Sequence, residues 1–171
     1  NKSHTAAYAF ITYQTAWLKS HHPAAFYSAT LTSDLHDTDR IALLIQDCKK
    51  NGVKVLGPSI NYSMYSFTTI LREDEAIVRF GLGGIKGVGE SIIKIILDAR
   101  QQGLFKNLLD FCSRVDRRTI NKKSFEALIC SGSMDDLHHL GSKGRNEMLA
   151  TYESFLLLTE QSELAKDQGN L

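Results

Sequence analysis

The sequence predicts a mainly α-helical fold carrying one small β-hairpin. Three observations predict it. Apolar residues recur at spacings of three and four along most of the chain, the signature of helices with one buried face. Alternation suited to strands is confined to a stretch near the middle, between residues 65 and 80. Just after it, Gly87-Val88-Gly89 is followed at once by an apolar helical run, Ile92, Ile93, Ile96 and Leu97, which is the pattern of a helix-hairpin-helix.

In chain order, Ala6–Ser20 places Ala9, Phe10, Tyr13, Ala16 and Trp17 on one side, so a helix with an aromatic stripe, half-buried, is expected. Pro23 suits the first turn of a second helix, Ala24–Thr32. Asp37 or Thr38 caps a third, with Ile41, Leu44, Ile45 and Cys48 inward and Lys49-Lys50-Asn51-Gly52 as its stop. Val53–Leu56 is a short strand candidate broken by Gly57-Pro58. Tyr65–Ile70 and Ala76–Phe80, joined by Arg72-Glu73-Asp74-Glu75, read as a β-hairpin. Gly89–Arg100 is the helix after the glycine turn. Leu104–Val115 and Asn121/Lys122–Ser131 are two more, the latter ended by Gly132, and Asp116–Ile120 joins them as a degenerate second hairpin without a Gly-x-Gly turn. Arg145–Leu158 is a last helix, and the polar stretch Thr159–Leu171 is expected to be loose.

The glycine turn carries the chemistry. Glycine reaches positive φ without steric cost, so both glycines are expected to serve a tight turn, with Val88 plugging the seam between the helices. The following helix starts with unpaired amides that bear partial positive charge, and a backbone phosphate fits there without any base being read. Lys86 adds a point charge, whereas Glu90 opposes one. The alternative is an ordinary turn between two packed helices. Charge distribution favours the phosphate: the 171 residues hold 20 Lys+Arg against 19 Asp+Glu, yet ten of the bases and only four of the acids lie between Arg79 and Lys123. A basic field inside a neutral chain is the footprint of a phosphate-binding face; a solvated helical surface is the competing account.

Composition excludes several classes. There is no apolar run long enough to span a membrane and no signal-peptide pattern. Cys48, Cys112 and Cys130 lack any C-x-x-C spacing and read as reduced, mostly buried thiols. The six histidines show no zinc spacing. Lys94 and Asp98 share a helix face, but no Gly/Pro loop leads to them, which argues against a hairpin-type DNA glycosylase. The chain begins at Asn1 and enters a helical pattern at once, as an excised piece of something longer.

Taken together, Asn1-Lys2-Ser3-His4, Ala6-Ala7-Tyr8, Thr12-Tyr13-Gln14-Thr15, Trp17-Leu18-Lys19, His22-Pro23, Leu31-Thr32-Ser33-Asp34, Pro58-Ser59-Ile60-Asn61, Gly81 to Gly89, Phe111-Cys112 and Ser131-Gly132-Ser133-Met134-Asp135 resemble the bacterial DNA polymerase III alpha subunits, the C-family replicative polymerases. The resemblance runs over nearly the whole chain in unbroken order. It implies distal fingers helices over 1–52, short strands or a β-hairpin over 53–80, and a helix-hairpin-helix module with its degenerate second hairpin over 81–135. A C-terminal helix and polar tail leading toward a clamp-binding region would occupy 136–171.

It further implies a cytoplasmic bacterial enzyme that extends primers by nucleotidyl transfer on Mg2+ held by palm aspartates. Those aspartates are not in this sequence, so the piece alone is expected to be inactive. Lys2, Ser3, His4 and Tyr8 lie where such polymerases approach the incoming nucleotide (dNTP), His4 and Tyr8 being one helical turn apart. Lys86, Gly87, Val88 and Gly89 would hold duplex primer-template DNA, with Arg114, Arg117, Arg118, Lys122 and Lys123 on neighbouring phosphates. Gln168-Gly169-Asn170-Leu171 has the look of a sliding-clamp peptide cut before its aromatic. The rival reading is a stand-alone helix-hairpin-helix DNA-binding module of a repair or recombination scaffold, which would have no need of residues 1–23.

Overall fold

Local chemistry sets most helix boundaries in the computed structural model, which describes residues 2–115 and 119–154. Pro23 opens α2 (Pro23–Ser33), where its missing amide costs nothing because first-turn amides have no helical partner. Asp37 caps α3 (Thr38–Lys50) by accepting the Arg40 amide at 2.9 Å. Gly52, at φ +73°, turns the chain out of it.

α1 (Lys2–His21) forms as expected but buries none of its residues. The expected half-buried stripe lies open instead, with Tyr13 68% and Phe10 62% exposed. Among the described residues α1 is anchored near its C-terminal end. There Lys19 Nζ donates to Asp47 Oδ2 at 2.8 Å, the Tyr27 hydroxyl donates to the same oxygen at 2.6 Å, and Asn51 Nδ2 donates to the Tyr27 oxygen at 2.9 Å. Those bonds from Lys19 and Tyr27 hold the Asp47 carboxyl below its ordinary range, and the Asp47 bond raises the Lys19 ammonium.

The hairpin pairs β2 (Thr68–Arg72) with β3 (Glu75–Arg79) in antiparallel register, Thr68 opposite Arg79 and Arg72 opposite Glu75. Its two turn residues, Glu73 and Asp74, both have positive φ (51° and 65°), the handedness that matches strand twist. The strand candidate at 53–56 becomes β1 (Val55–Leu56) and joins the hairpin as a parallel neighbour of β3, giving the order β1-β3-β2. α2 and α3 cover this sheet through Ala24, Tyr27, Leu31 and Ile41, packed with Phe67 and Val78.

A second core lies beyond the sheet. It is built by α4 (Glu90–Arg100), α5 (Leu108–Arg114), α6 (Lys122–Cys130) and a helix over residues 145–154, here α7. Ile93, Ile96, Phe111, Phe125, Leu128 and Met148 are its centre, and the Phe125 and Tyr152 rings stack 3.6 Å apart. Phe80 packs against both cores.

The helix expected over Leu104–Val115 starts only at Leu108. Asn61 is buried and brackets Phe105, accepting its amide at 2.8 Å and donating to its carbonyl at 2.9 Å. Asn107 then caps α5 by accepting the Asp110 amide at 2.9 Å, so the preceding residues stay outside the helix. Gly132, at φ +83°, follows α6 as expected. The end of the expected last helix and Gln168–Leu171 lie outside the described residues. Burial pushes the Cys48 and Cys112 thiols up to about 11, while Cys130 is exposed. Among the described residues no helix is long and apolar enough to cross a membrane.

Candidate nucleic-acid interface

Before the glycine turn, the first helix of the motif is a single 3-10 turn, Leu82–Gly84. Its successor Ile85 and the turn's Val88 are both buried in the second core, so Val88 plugs the seam as expected. The two glycines do different jobs. Gly87 sits at φ +92°, a conformation an L side chain rarely adopts. Gly89 sits at φ −75° and ψ 155°, an extended N-cap geometry open to any residue. A Cβ on Gly89 would meet only Ser91 Oγ, at 3.9 Å, and otherwise face open space. The expectation that both glycines serve positive φ is therefore corrected: Gly87 shapes the turn, and Gly89 keeps the surface beside Ser91 clear.

That clear surface is where α4 presents its amides. Ile92 and Ile93 both donate to the Gly89 carbonyl, at 3.1 and 3.2 Å, which begins the helical ladder. Among the described residues the amides of Gly89, Glu90 and Ser91 make no hydrogen bond. All three residues are exposed, as are Lys86 before the turn and Lys94 one turn along α4. Glu90 occupies the first turn and offsets part of the positive field.

The connection expected to form the degenerate second hairpin lies partly outside the described residues, but its second helix, α6, packs directly on this turn. Asn121 caps α6 by accepting the Ser124 amide at 2.8 Å, and the Ser124 hydroxyl donates to the Gly87 carbonyl at 2.8 Å. Ala127, a turn further along α6, faces the position a Gly87 Cβ would take, 3.6 Å away. The start of α6 thus lies beside the Gly87 turn, with Lys123 exposed at its first turn. Lys122 is there too, but its ammonium is held by Glu153 at 2.8 Å and lies 3.9 Å from Glu126. The Glu153 bond raises its pKa.

Arg114 is a correction. Its guanidinium does not face outward: it donates to the carbonyls of Ala99, Gly103 (2.8 Å) and Leu104 (3.4 Å) and to Asp110 Oδ2 (3.3 Å). It also lies 4.5 Å over the Phe105 ring, with its side chain only 17% exposed. It closes the carbonyl end of α4 onto α5. Arg100 is likewise spent, donating to the carbonyls of Ile60 and Ser63 at 3.0 and 2.7 Å. Arg117 and Arg118 lie outside the described residues. The basic excess counted along the sequence is therefore not all available on the surface.

Lys2, Ser3, His4 and Tyr8 are all exposed on the first turns of α1, Tyr8 by 70%. α1 packs on α2. No group of three or more His, Cys, Asp or Glu is placed to hold a metal ion among the described residues. Sequence reasoning missed Ser124 and Asn61. The spacing of Asn121 and Ser124 signals a helix cap, but nothing local signals a bond from Ser124 to a carbonyl 37 residues earlier.

Comparison with known proteins gives two findings. A family model described as a helix-hairpin-helix motif matches residues 52–146. The chain is also 41% identical to the DNA polymerase III subunit alpha of Pseudomonas fluorescens, an alignment covering 99% of this chain and 15% of that protein. It is 41% identical to the same subunit of Vibrio cholerae (99% of this chain, 14% of that protein) and 49% identical to that of Pasteurella multocida (80% and 12%). The chain thus spans no more than about a seventh of the length of these relatives.

Proposed function

We propose, for a chain that belongs to the helix-hairpin-helix motif family, that it is the duplex-gripping part of a bacterial replicative DNA polymerase alpha subunit. The observation that carries this is the row of unbonded amides at Gly89, Glu90 and Ser91, with Lys86 beside them on an exposed surface. Such a row donates hydrogen bonds to a phosphate oxygen and adds the helix field, whatever base is attached. Lys123 at the start of α6 extends the contact to a neighbouring phosphate. Lack of base choice suits an enzyme that must slide along its product.

In this reading residues 1–52 belong to the fingers, 53–80 join them to the grip, 81–135 hold primer-template DNA, and 136–171 lead toward a sliding-clamp contact. The exposed Lys2, Ser3, His4 and Tyr8 meet the incoming nucleotide: Lys2 supplies charge to a phosphate and Tyr8 a flat surface to sugar or base. The nucleotidyl transfer and its Mg2+ belong to palm aspartates elsewhere in the polymerase. The described residues here offer no fitting donor set. The chain by itself grips and does not polymerise, and it works in the bacterial cytoplasm. The relatives named DNA polymerase III subunit alpha support this reading over a repair-scaffold module because their match extends through residues 1–23.

The test is binding of unrelated duplexes by the 171-residue chain across a salt series. Affinities equal among sequences and falling linearly on a log–log salt plot are expected, with Lys86→Glu weakening binding and lowering the slope by about 1. Absence of duplex binding at low salt, or binding indifferent to salt, overturns the proposal.

A further inference from the structure

The peptide unit between Gly87 and Val88 is held on both sides. Its carbonyl accepts from the Ser124 hydroxyl at 2.8 Å, and its amide donates to the Ile85 carbonyl at 3.2 Å. Gly87 has no Cβ to restrict this peptide, so its orientation is set by these two hydrogen bonds. Its orientation sets the direction in which the chain enters Gly89, Glu90 and Ser91, and hence where their amides point. Ser124 is well placed to hold it: only 3% exposed, its own amide taken by Asn121, and its helix pressed on Gly87 through Ala127.

We propose that Ser124 is a positioning residue for the backbone-phosphate grip, through which the second hairpin fixes the turn of the first. The inference rests on the grip reading above and deepens it. The second hairpin lacks a glycine turn of its own, and in this account its helix serves the first hairpin by clamping one carbonyl. With the hydroxyl removed, the Gly87 carbonyl loses its buried donor and the peptide is held by one bond. The amides of Gly89, Glu90 and Ser91 then sample other directions, and phosphate affinity falls with no cation removed.

The experiment uses the 171-residue chain with a fluorescent duplex oligonucleotide at low salt, comparing Ser124→Ala, Ser124→Cys and Ser124→Thr. A positioning hydrogen bond ranks them by donor strength. Ala and Cys weaken binding about threefold to tenfold, the range of one ordinary hydrogen bond, while Thr stays near the parent. The salt slope stays unchanged in all three, because no charge is lost. A merely structural role ranks them by volume instead, leaving Cys like the parent, and that result overturns the inference. Cys keeps the packing, so it decides the matter even if Ala fails to fold. Should Ser124→Cys bind normally while Lys86→Glu binds weakly, the inference fails and the grip stands; should both bind normally, the grip itself fails.

Discussion

Replacing the two glycines one at a time separates shaping of the turn from contact with a ligand. Gly87→Ala forces a side chain to φ +92° and sets its methyl 3.6 Å from Ala127 Cβ, ordinary van der Waals contact. The cost is therefore backbone strain and not collision, about 1–2 kcal/mol. For a chain of this length that lowers Tm by about 2–8 °C. Gly89→Ala meets no strain at φ −75° and no close neighbour, so its cost is the poorer N-cap preference of Ala, below about 1 kcal/mol. Its methyl nevertheless stands beside Ser91, at the proposed phosphate contact. Loss of one charge-assisted hydrogen bond there weakens duplex binding about tenfold or more. Thermal unfolding by circular dichroism and anisotropy titration at low salt read the two quantities. An equal fall in Tm for both variants refutes the division of labour, as does a Gly89→Ala protein that binds duplex like the parent.

Three further outcomes are expected. Arg114→Ala strips charged donors from the carbonyls that end α4, costing about 2–3 kcal/mol in unfolding while leaving the salt slope of duplex binding unchanged; a shallower slope would make Arg114 a phosphate ligand. Asp47, lowered from its ordinary value of 3.8 chiefly by the Lys19 bond, adds stability that is complete above that value and lost as pH falls through the lower folded one. Asp47→Asn should therefore flatten part of the acid limb in a Tm-against-pH series, and an unchanged limb contradicts the Lys19–Asp47–Tyr27 link. In the longer polymerase, His4→Ala or Tyr8→Ala should raise the KM for nucleotide more than the Kd for primer-template, as steady-state extension and DNA titration measure separately; an effect on DNA affinity alone defeats the assignment.

The helices were legible wherever a local signal sets a boundary. Pro23, Asp37 and Gly132 each act within a turn of their own position, and each does so in the structure. The hairpin was legible for the same reason. The parallel partner of β3 was not, because Val55 and Leu56 pair with residues over twenty positions away and carry no periodicity of their own. Leu104–Asn107 reads as helix by pattern, yet a buried Asn61 from a distant loop takes both the amide and the carbonyl of Phe105, which stays outside the helix.

Charge misled in a similar way. A sequence count treats every arginine as available, but Arg100 is spent on the carbonyls of Ile60 and Ser63, and Arg114 on carbonyls at and just beyond the end of α4. The aromatic face of α1 reads as half-buried in the sequence, but none of the α1 residues is buried among the described residues. The Gly-Val-Gly turn was legible as a turn, whereas which glycine needs positive φ depends on how α6 closes over Gly87.

The proposed grip depends on three amides meeting a phosphate, and nuclear magnetic resonance reads amides one by one. Duplex titrated into isotopically labelled chain should shift the Gly89, Glu90 and Ser91 amide protons first and furthest, in the direction of stronger hydrogen bonding. Lys86 and Lys123 should follow, while α2 and α3 stay still. If those three amides remain in place while other surfaces respond, the duplex is held somewhere else and the grip assigned to this turn is wrong.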